Sequence, residues 1–247
     1  MCSSDLEPRV FAYTSGDKNL MAAFKSADDF YSVIGMRVYN KTDCIPRKDG
    51  ADGFGVKYKK LRDLSKVIAL ASTYGATARQ LAGTTGKSAD DTQADIDAYF
   101  SAFPGVKQMM LDSHEMAKTT GQVTNLFGRP RRMLEAKEIK KLFGNTPHDE
   151  LDYAWRNMLN LAVNHRIQST GASIVNRAAI KFHQLCKEAG ISANLVLQVH
   201  DSLVVECYEA DADNVLTLLQ YSMEQTVILP GVALEAVPKV GRNLSEV

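Results

Sequence analysis

The 247-residue sequence carries no net charge: 29 Lys and Arg balance 29 Asp and Glu. Bulk charge therefore gives no sign of a nucleic-acid partner, and any basic surface has to come from local clustering. Cysteine is scarce. Cys2, Cys44, Cys186 and Cys207 never fall at CxxC spacing and form no zinc-type pattern with histidine, which fits free thiols in a reducing compartment. A long apolar run is also missing, so no membrane-spanning helix and no membrane partner are expected. The opening residues MCSSDLEPRV hold no apolar h-region and do not read as a signal peptide. No internal repeat and no low-complexity tract is present. These absences point to a cytoplasmic location.

What is present is ordinary for a soluble globular chain: 45% hydrophobic and 23% charged residues, enough for one large domain or two smaller ones. Apolar periodicity predicts helices over 17–42, 57–74, 88–100, 106–119, 151–189 and 210–225, the fifth bent or broken near Ser169 to Gly171. Residues 43–56 are rich in turn formers, and Gln122 to Phe127 reads as a short extended piece. Leu195 to Val199 and Leu203 to Cys207 read as two strands around a tight turn, and the tail is extended. Helices over an antiparallel sheet make an α+β pattern.

Four groups of residues carry candidate chemistry. In LRDLSKVIALASTYG, Arg62, Lys66, Leu70 and Tyr74 recur every four residues and form one ridge on a helix. Two cations followed by an apolar group and an aromatic suit a nucleoside triphosphate lying along the ridge. The same spacing also suits a solvated helix face. In LVLQVHDSLVVE, apolar strands flank His200, Asp201 and Ser202. A carboxylate on a rigid turn suits Mg²⁺, which takes hard oxygen in a fixed geometry. Asp and Ser also favour such turns for their own sake. Arg129, Arg131, Arg132, Lys137, Lys140 and Lys141, with Lys57, Lys59 and Lys60, form two basic clusters that fit a phosphate backbone or open solvent. Asn164 and Gln168, one helical turn apart, could reach base edges in a minor groove or rest on a helix flank.

In order, these segments resemble the family A (Pol I-like) DNA polymerases, the phage members most of all. Arg62, Lys66, Tyr74 and Gly75 match motif B, R-x3-K-x3-F-x3-Y-G, with Leu70 in the aromatic place. Gln198 to Ser202 match motif C, QVHDE. YFSAFPGVKQMM…GQVTNLFGRPRRM is similar to the family's FFxxYPxVxxYM…GYVxTxxGRRR, and VALEAVPKVGRNLSEV to its closing strand. Asn164 and Gln168 match its N-x3-Q pair. LEPRVFAYTSGDKNLMAAF resembles the end of motif A and the segment after it.

The resemblance implies an α+β fold in which a helical fingers subdomain (17–150) is inserted into a partial palm with an antiparallel sheet (1–16 and 151–247). It implies DNA synthesis on a template, with deoxynucleotides (dNTPs) and primer–template DNA as partners and two Mg²⁺ ions as cofactor. Arg62 and Lys66 would bind the triphosphate, Lys66 also serving catalysis. Leu70 and Tyr74 would line the nucleotide, and Tyr31 would stand where many members have a nucleotide-contacting His. Glu7 would exclude the ribose 2′-hydroxyl. Asp201 would hold metal and His200 would sit near the primer end. Arg9, Arg129, Arg131, Asn164 and Gln168 would meet DNA.

Several positions depart from the pattern. The motif A Asp stands five residues before its Glu, and here that place is Cys2; Asp5 is out of register on a strand of period two. Ser202 replaces the motif C Glu. The family's exonuclease region, thumb and first palm strands have no counterpart. The expectation is a C-terminal polymerase portion that is incomplete alone. The alternatives are a non-catalytic primer–template or nucleotide-binding remnant, or one subunit of a split enzyme whose N-terminal fragment supplies the thumb and the motif A Asp. If phage-encoded, it would act in the host cytoplasm.

Overall fold

The computed structural model describes residues 2–3, 6–24, 28–134 and 149–246, with the backbone alone for 2–3 and 149–152. The chain divides into two compact units, one of residues 12–166, the other of 1–11 and 167–247. The boundaries expected from the sequence are 16/17 and 150/151.

The 12–166 unit is helical. Its elements are α1 (Leu6–Ser15, shared with the other unit), α2 (Lys18–Ala23), α3 (Phe30–Val38), α4 (Phe54–Lys57), α5 (Lys59–Thr73), α6 (Ala78–Thr85), α7 (Ala89–Ala102) and α8 (Pro104–Thr120). The hairpin β2 (Gln122–Thr124) and β3 (Pro130–Arg132) comes next. The single helix expected over 17–42 is two, because Asp17 and Asp29 each leave helical geometry and cap a new start with their side chains. α6 was not anticipated, although Thr77 and Gln80 form a capping box and Gly86 ends the helix in the left-handed region. α3 packs on α5 and α7, with Ile34, Phe54, Ile68, Tyr99 and Phe103 buried. Gly35 is required there: a Cβ would strike the Phe54 ring and the Ser65 hydroxyl. A second apolar cluster joins Ala117, Val123, Met133, Met158 and Ala162.

α9 (Asp149–Ala189) runs unbroken for 41 residues, so the expected bend near Ser169 to Gly171 is absent. Gly171 lies beside Leu6 with room for a Cβ, which would meet that side chain at 3.7 Å, and Thr170 is fully buried.

In the other unit, β1 (Cys2–Ser3), β4 (Ala193–Val199), β5 (Ser202–Cys207) and β6 (Ala236–Val237) form an antiparallel sheet in the order β4-β5-β1-β6. A 3₁₀ turn (Glu209–Asp211) leads into α10 (Ala212–Gln225), which buries Val215, Leu219 and Met223. Cys2 and Ser3 pair in the sheet, but Glu7 already lies in the first turn of α1. Asp5, Lys137, Lys140 and Lys141 fall outside the described residues.

Candidate nucleotide and nucleic-acid site

The α5 ridge forms as its spacing requires, and its end is fixed by backbone chemistry. Gly75, at φ +83, donates its N–H to Ser72 O at 3.0 Å, while Ala76 N–H reaches Ala71 O at 2.9 Å. This paired closure needs a left-handed residue just past the helix, which glycine adopts without strain. It leaves Tyr74 as the C-terminal cap.

Arg62, near the start of the ridge, is not a loose cation. Its Nε donates to Asp29 Oδ2 and its Nη2 to Asp29 Oδ1, both at 2.7 Å. The two side chains are 16% and 17% exposed. Asp29 is itself fixed as the cap of α3, accepting from the Ser32 N–H at 2.8 Å and the Ser32 hydroxyl at 2.6 Å. Burial alone would raise the Asp29 carboxyl, but the hydrogen bonds from Arg62 and Ser32 outweigh it and hold the group below its ordinary value.

Tyr31, one residue into α3, is buried at 8% exposure. Its ring centre lies 5.7 Å from the Arg62 guanidinium and 5.5 Å from Lys66 Nζ. A ring at that range attracts both cations through its negative face. Tyr31, expected to contact the nucleotide, thus sits beside the two cations expected to bind its phosphates. Lys66 is exposed, and Leu70 and Tyr74 are half-buried.

In the sheet, Val199 pairs with Ser202, so His200 and Asp201 form a two-residue turn. His200 takes φ +54, a left-handed conformation that histidine tolerates better than most side chains. The turn lifts Asp201, half-buried, to the end of two strands. Among the described residues no group of three or more His, Cys, Asp or Glu is placed to hold a metal ion. Asp201 therefore fits a hard-cation ligand, but the described side chains do not complete a site around it.

Gln168 Nε2 donates to Glu7 Oε1 at 2.6 Å, joining the expected minor-groove amide to the expected sugar-excluding carboxylate. Asn164 stands one turn earlier on α9, half-buried. Arg9, expected to meet DNA, is largely enclosed. Only 5% exposed, it hydrogen-bonds Ala233 O and pairs with Glu235 at 2.7 Å, so its cation anchors the C-terminal segment to α1.

Arg129 is exposed and Arg131 half-buried on the β2–β3 hairpin. Buried Asn125 shapes that turn, its Oδ1 accepting from the Phe127 and Arg129 N–H groups at 2.9 Å each. Lys57 is drawn to Asp43 O at 2.6 Å, while Lys59 and Lys60 stay exposed.

Sequence reasoning missed Asp29, Ser32 and Asn125. The signals were there: Asp-x-x-Ser before an apolar run is a cap pattern, and Asn two residues before Phe-Gly is a turn pattern.

The family model of DNA polymerase family A matches residues 3–246. DNA polymerase I of Chloroflexus aurantiacus is 30% identical over 243 residues, which is 98% of this chain and 23% of that protein. The thermostable DNA polymerase I of Thermus filiformis is 30% identical over 98% of this chain and 26% of its own length. Among solved structures, the POL domain of Pol1 from M. smegmatis, in complex with DNA primer-template and dNTP, superposes with a TM-score of 0.80 at 25% identity. That match covers 95% of this chain and 37% of the other. The chain spans about a quarter of the length of the curated relatives it matches.

Proposed function

The chain belongs to DNA polymerase family A, and from that premise we propose that it serves template-directed addition of deoxynucleotides to a primer 3′ end. The observation that carries the reading is the α5 ridge of Arg62, Lys66, Leu70 and Tyr74, closed by Gly75. The 12–166 unit is read as fingers and the 1–11/167–247 unit as part of a palm. Arg62 and Lys66 bind phosphates, Leu70 and Tyr74 line sugar and base, and Glu7 excludes a 2′-hydroxyl. His200 stands by the primer end. Asn164, Gln168, Arg129 and Arg131 serve the DNA.

Asp201 is the carboxylate for Mg²⁺, which when bound lowers the pKa of the primer hydroxyl and stabilises charge on the transferred phosphoryl group. Cys2 and Ser202, where the family carries carboxylates, favour a second reading. In it the chain binds nucleotide and primer–template, and a separate polymerase fragment supplies the missing ligand. Phage origin and action in the host cytoplasm are the accompanying proposals, supported by the sequence motifs alone.

Titration of the purified chain with dATP and Mg²⁺ tests the ridge. A charge-assisted phosphate contact is worth about 1.5–3 kcal/mol, so Arg62→Ala and Lys66→Ala should each weaken binding about tenfold or more. Unchanged affinity in both variants would remove the phosphate assignment. Primer extension is expected only on mixing with a fragment that carries a motif A Asp, and Asp201→Ala should abolish it. Mg²⁺-dependent extension by the unmixed chain would exclude the two-fragment form of the function.

A further inference from the structure

We propose that Asp29 is a positioning residue for nucleotide binding: clamped by Ser32 at the head of α3, it grips Arg62 by the Nε–Nη2 edge and presents the Nη1 end to the triphosphate. The proposal rests on the nucleotide reading of the α5 ridge and adds a residue that touches no substrate.

Arginine is long, and fixing its rotamers on binding costs affinity. Here that ordering is already done. Asp29 Oδ2 accepts from Arg62 Nε, Ser32 N and Ser32 Oγ, and Oδ1 accepts from Arg62 Nη2. The clamp reaches further into the turn segment before α4. The Asp29 N–H donates to Pro46 O at 2.7 Å, and the fully buried Ser32 lies 3.3 Å from Arg47 O through its hydroxyl. The carboxylate therefore sits on backbone held at two places. Tyr31 supports the guanidinium from the side.

The same ion pair could act in the opposite way, with Asp29 competing against phosphate for Arg62. Burial decides between the two. Both side chains are more than four-fifths buried, so withdrawing Arg62 would strand a carboxylate without its charge partner. Phosphate bound at the Nη1 end leaves the pair intact. A positioned arginine has three N–H donors left after Asp29 takes two of its five. A further consequence is that Asp29 offsets the Arg62 charge, which leaves exposed Lys66 as the principal uncompensated cation of the ridge.

Equilibrium titration with dATP and with dAMP, in Mg²⁺, tests the proposal on wild type, Asp29→Asn, Ser32→Ala, Arg62→Ala and the Asp29→Asn/Arg62→Ala double variant. Asparagine keeps the helix cap, so α3 is retained while the charge clamp is lost. Asp29→Asn should weaken dATP binding about tenfold, the size of one charge-assisted hydrogen bond. It should weaken dAMP binding far less, and should add nothing once Arg62 is alanine. Ser32→Ala, which leaves the carboxylate in place, should shift dATP affinity in the same direction by less. Tighter dATP binding by Asp29→Asn overturns the proposal in favour of competition. Unchanged binding overturns it outright, as does an equal loss with and without Arg62, which marks a general role in folding. Should Asp29→Asn fail to fold, the Ser32→Ala and Arg62→Ala pair supplies the same cycle. Equal affinity of wild type and Arg62→Ala marks a different failure, that of the ridge reading itself.

Discussion

Glu7 and Gln168 are 161 positions apart in sequence, yet their side chains meet at 2.6 Å in one unit of the fold. On the proposed role of Glu7, a carboxylate that excludes a hydroxyl works by occupying a fixed place, and whatever fixes it would share in the selection. The amide of Gln168 does that by donating to Oε1. Gln168→Ala should therefore raise ribonucleotide use relative to deoxynucleotide use, in the same direction as Glu7→Ala and by less. The check is the ratio of ribo- to deoxynucleotide incorporation in a primer-extending assembly. A ratio untouched in Gln168→Ala would separate the two residues. At this scale the sequence is legible where spacing alone sets a residue's place, as on the helical ridge of α5. It is not legible where a residue acts through a distant partner. The enclosure of Arg9 is not legible because its partners Ala233 and Glu235 lie 224 and 226 positions away. Asp29 is not legible because 17–42 reads as one helix with Asp29 in its interior, and its pairing with Arg62 appears only with the two folded together.

The elements that sequence located best were those whose ends carry local signals. Ser88 caps α7 by accepting from the Asp91 N–H, and Gly121 closes α8 at φ +68. The errors came from interior patterns. Apolar spacing runs through 17–42 as though continuous, and Gly171 suggests a break where the helix continues. Gly75 combines both kinds of information. Its positive φ is an end signal, and a Cβ there would also collide with the Asn160 side chain on α9. Gly75→Ala should cost at least about 1–2 kcal/mol from the left-handed conformation alone. Urea unfolding monitored by circular dichroism measures the loss. Adding Asn160→Ala should recover the part due to collision and leave the backbone part. No recovery in the double variant would show that Asn160 moves aside freely.

Across the whole molecule, the division of the chain reflects its long-range contacts, which no local pattern records. Both unit boundaries fall inside helices, at 11/12 in α1 and 166/167 in α9, where composition gives no linker. The antiparallel sheet was legible only as the β4–β5 hairpin, because β1 and β6 are two residues each and are recognised by pairing rather than by pattern. No helix among the described residues is long and apolar enough to cross a membrane.

The sheet order also has a consequence for how the protein behaves in a tube. β4 lies at the rim of the sheet, and among the described residues β5 is the strand it pairs with. Its Leu195, Val196, Leu197 and Val199 are each more than two-fifths exposed. An apolar rim with unused backbone donors and acceptors is a template for another strand. Purified at rising concentration, the chain should scatter light increasingly as copies stack rim to rim. Val196→Lys, a charge on that rim, should suppress the scattering without lowering the melting temperature. Scattering that grows equally in the variant would place the sticky surface elsewhere. Suppression by Val196→Lys would make colloidal stability the practical limit on working with this protein, set by one strand of seven residues.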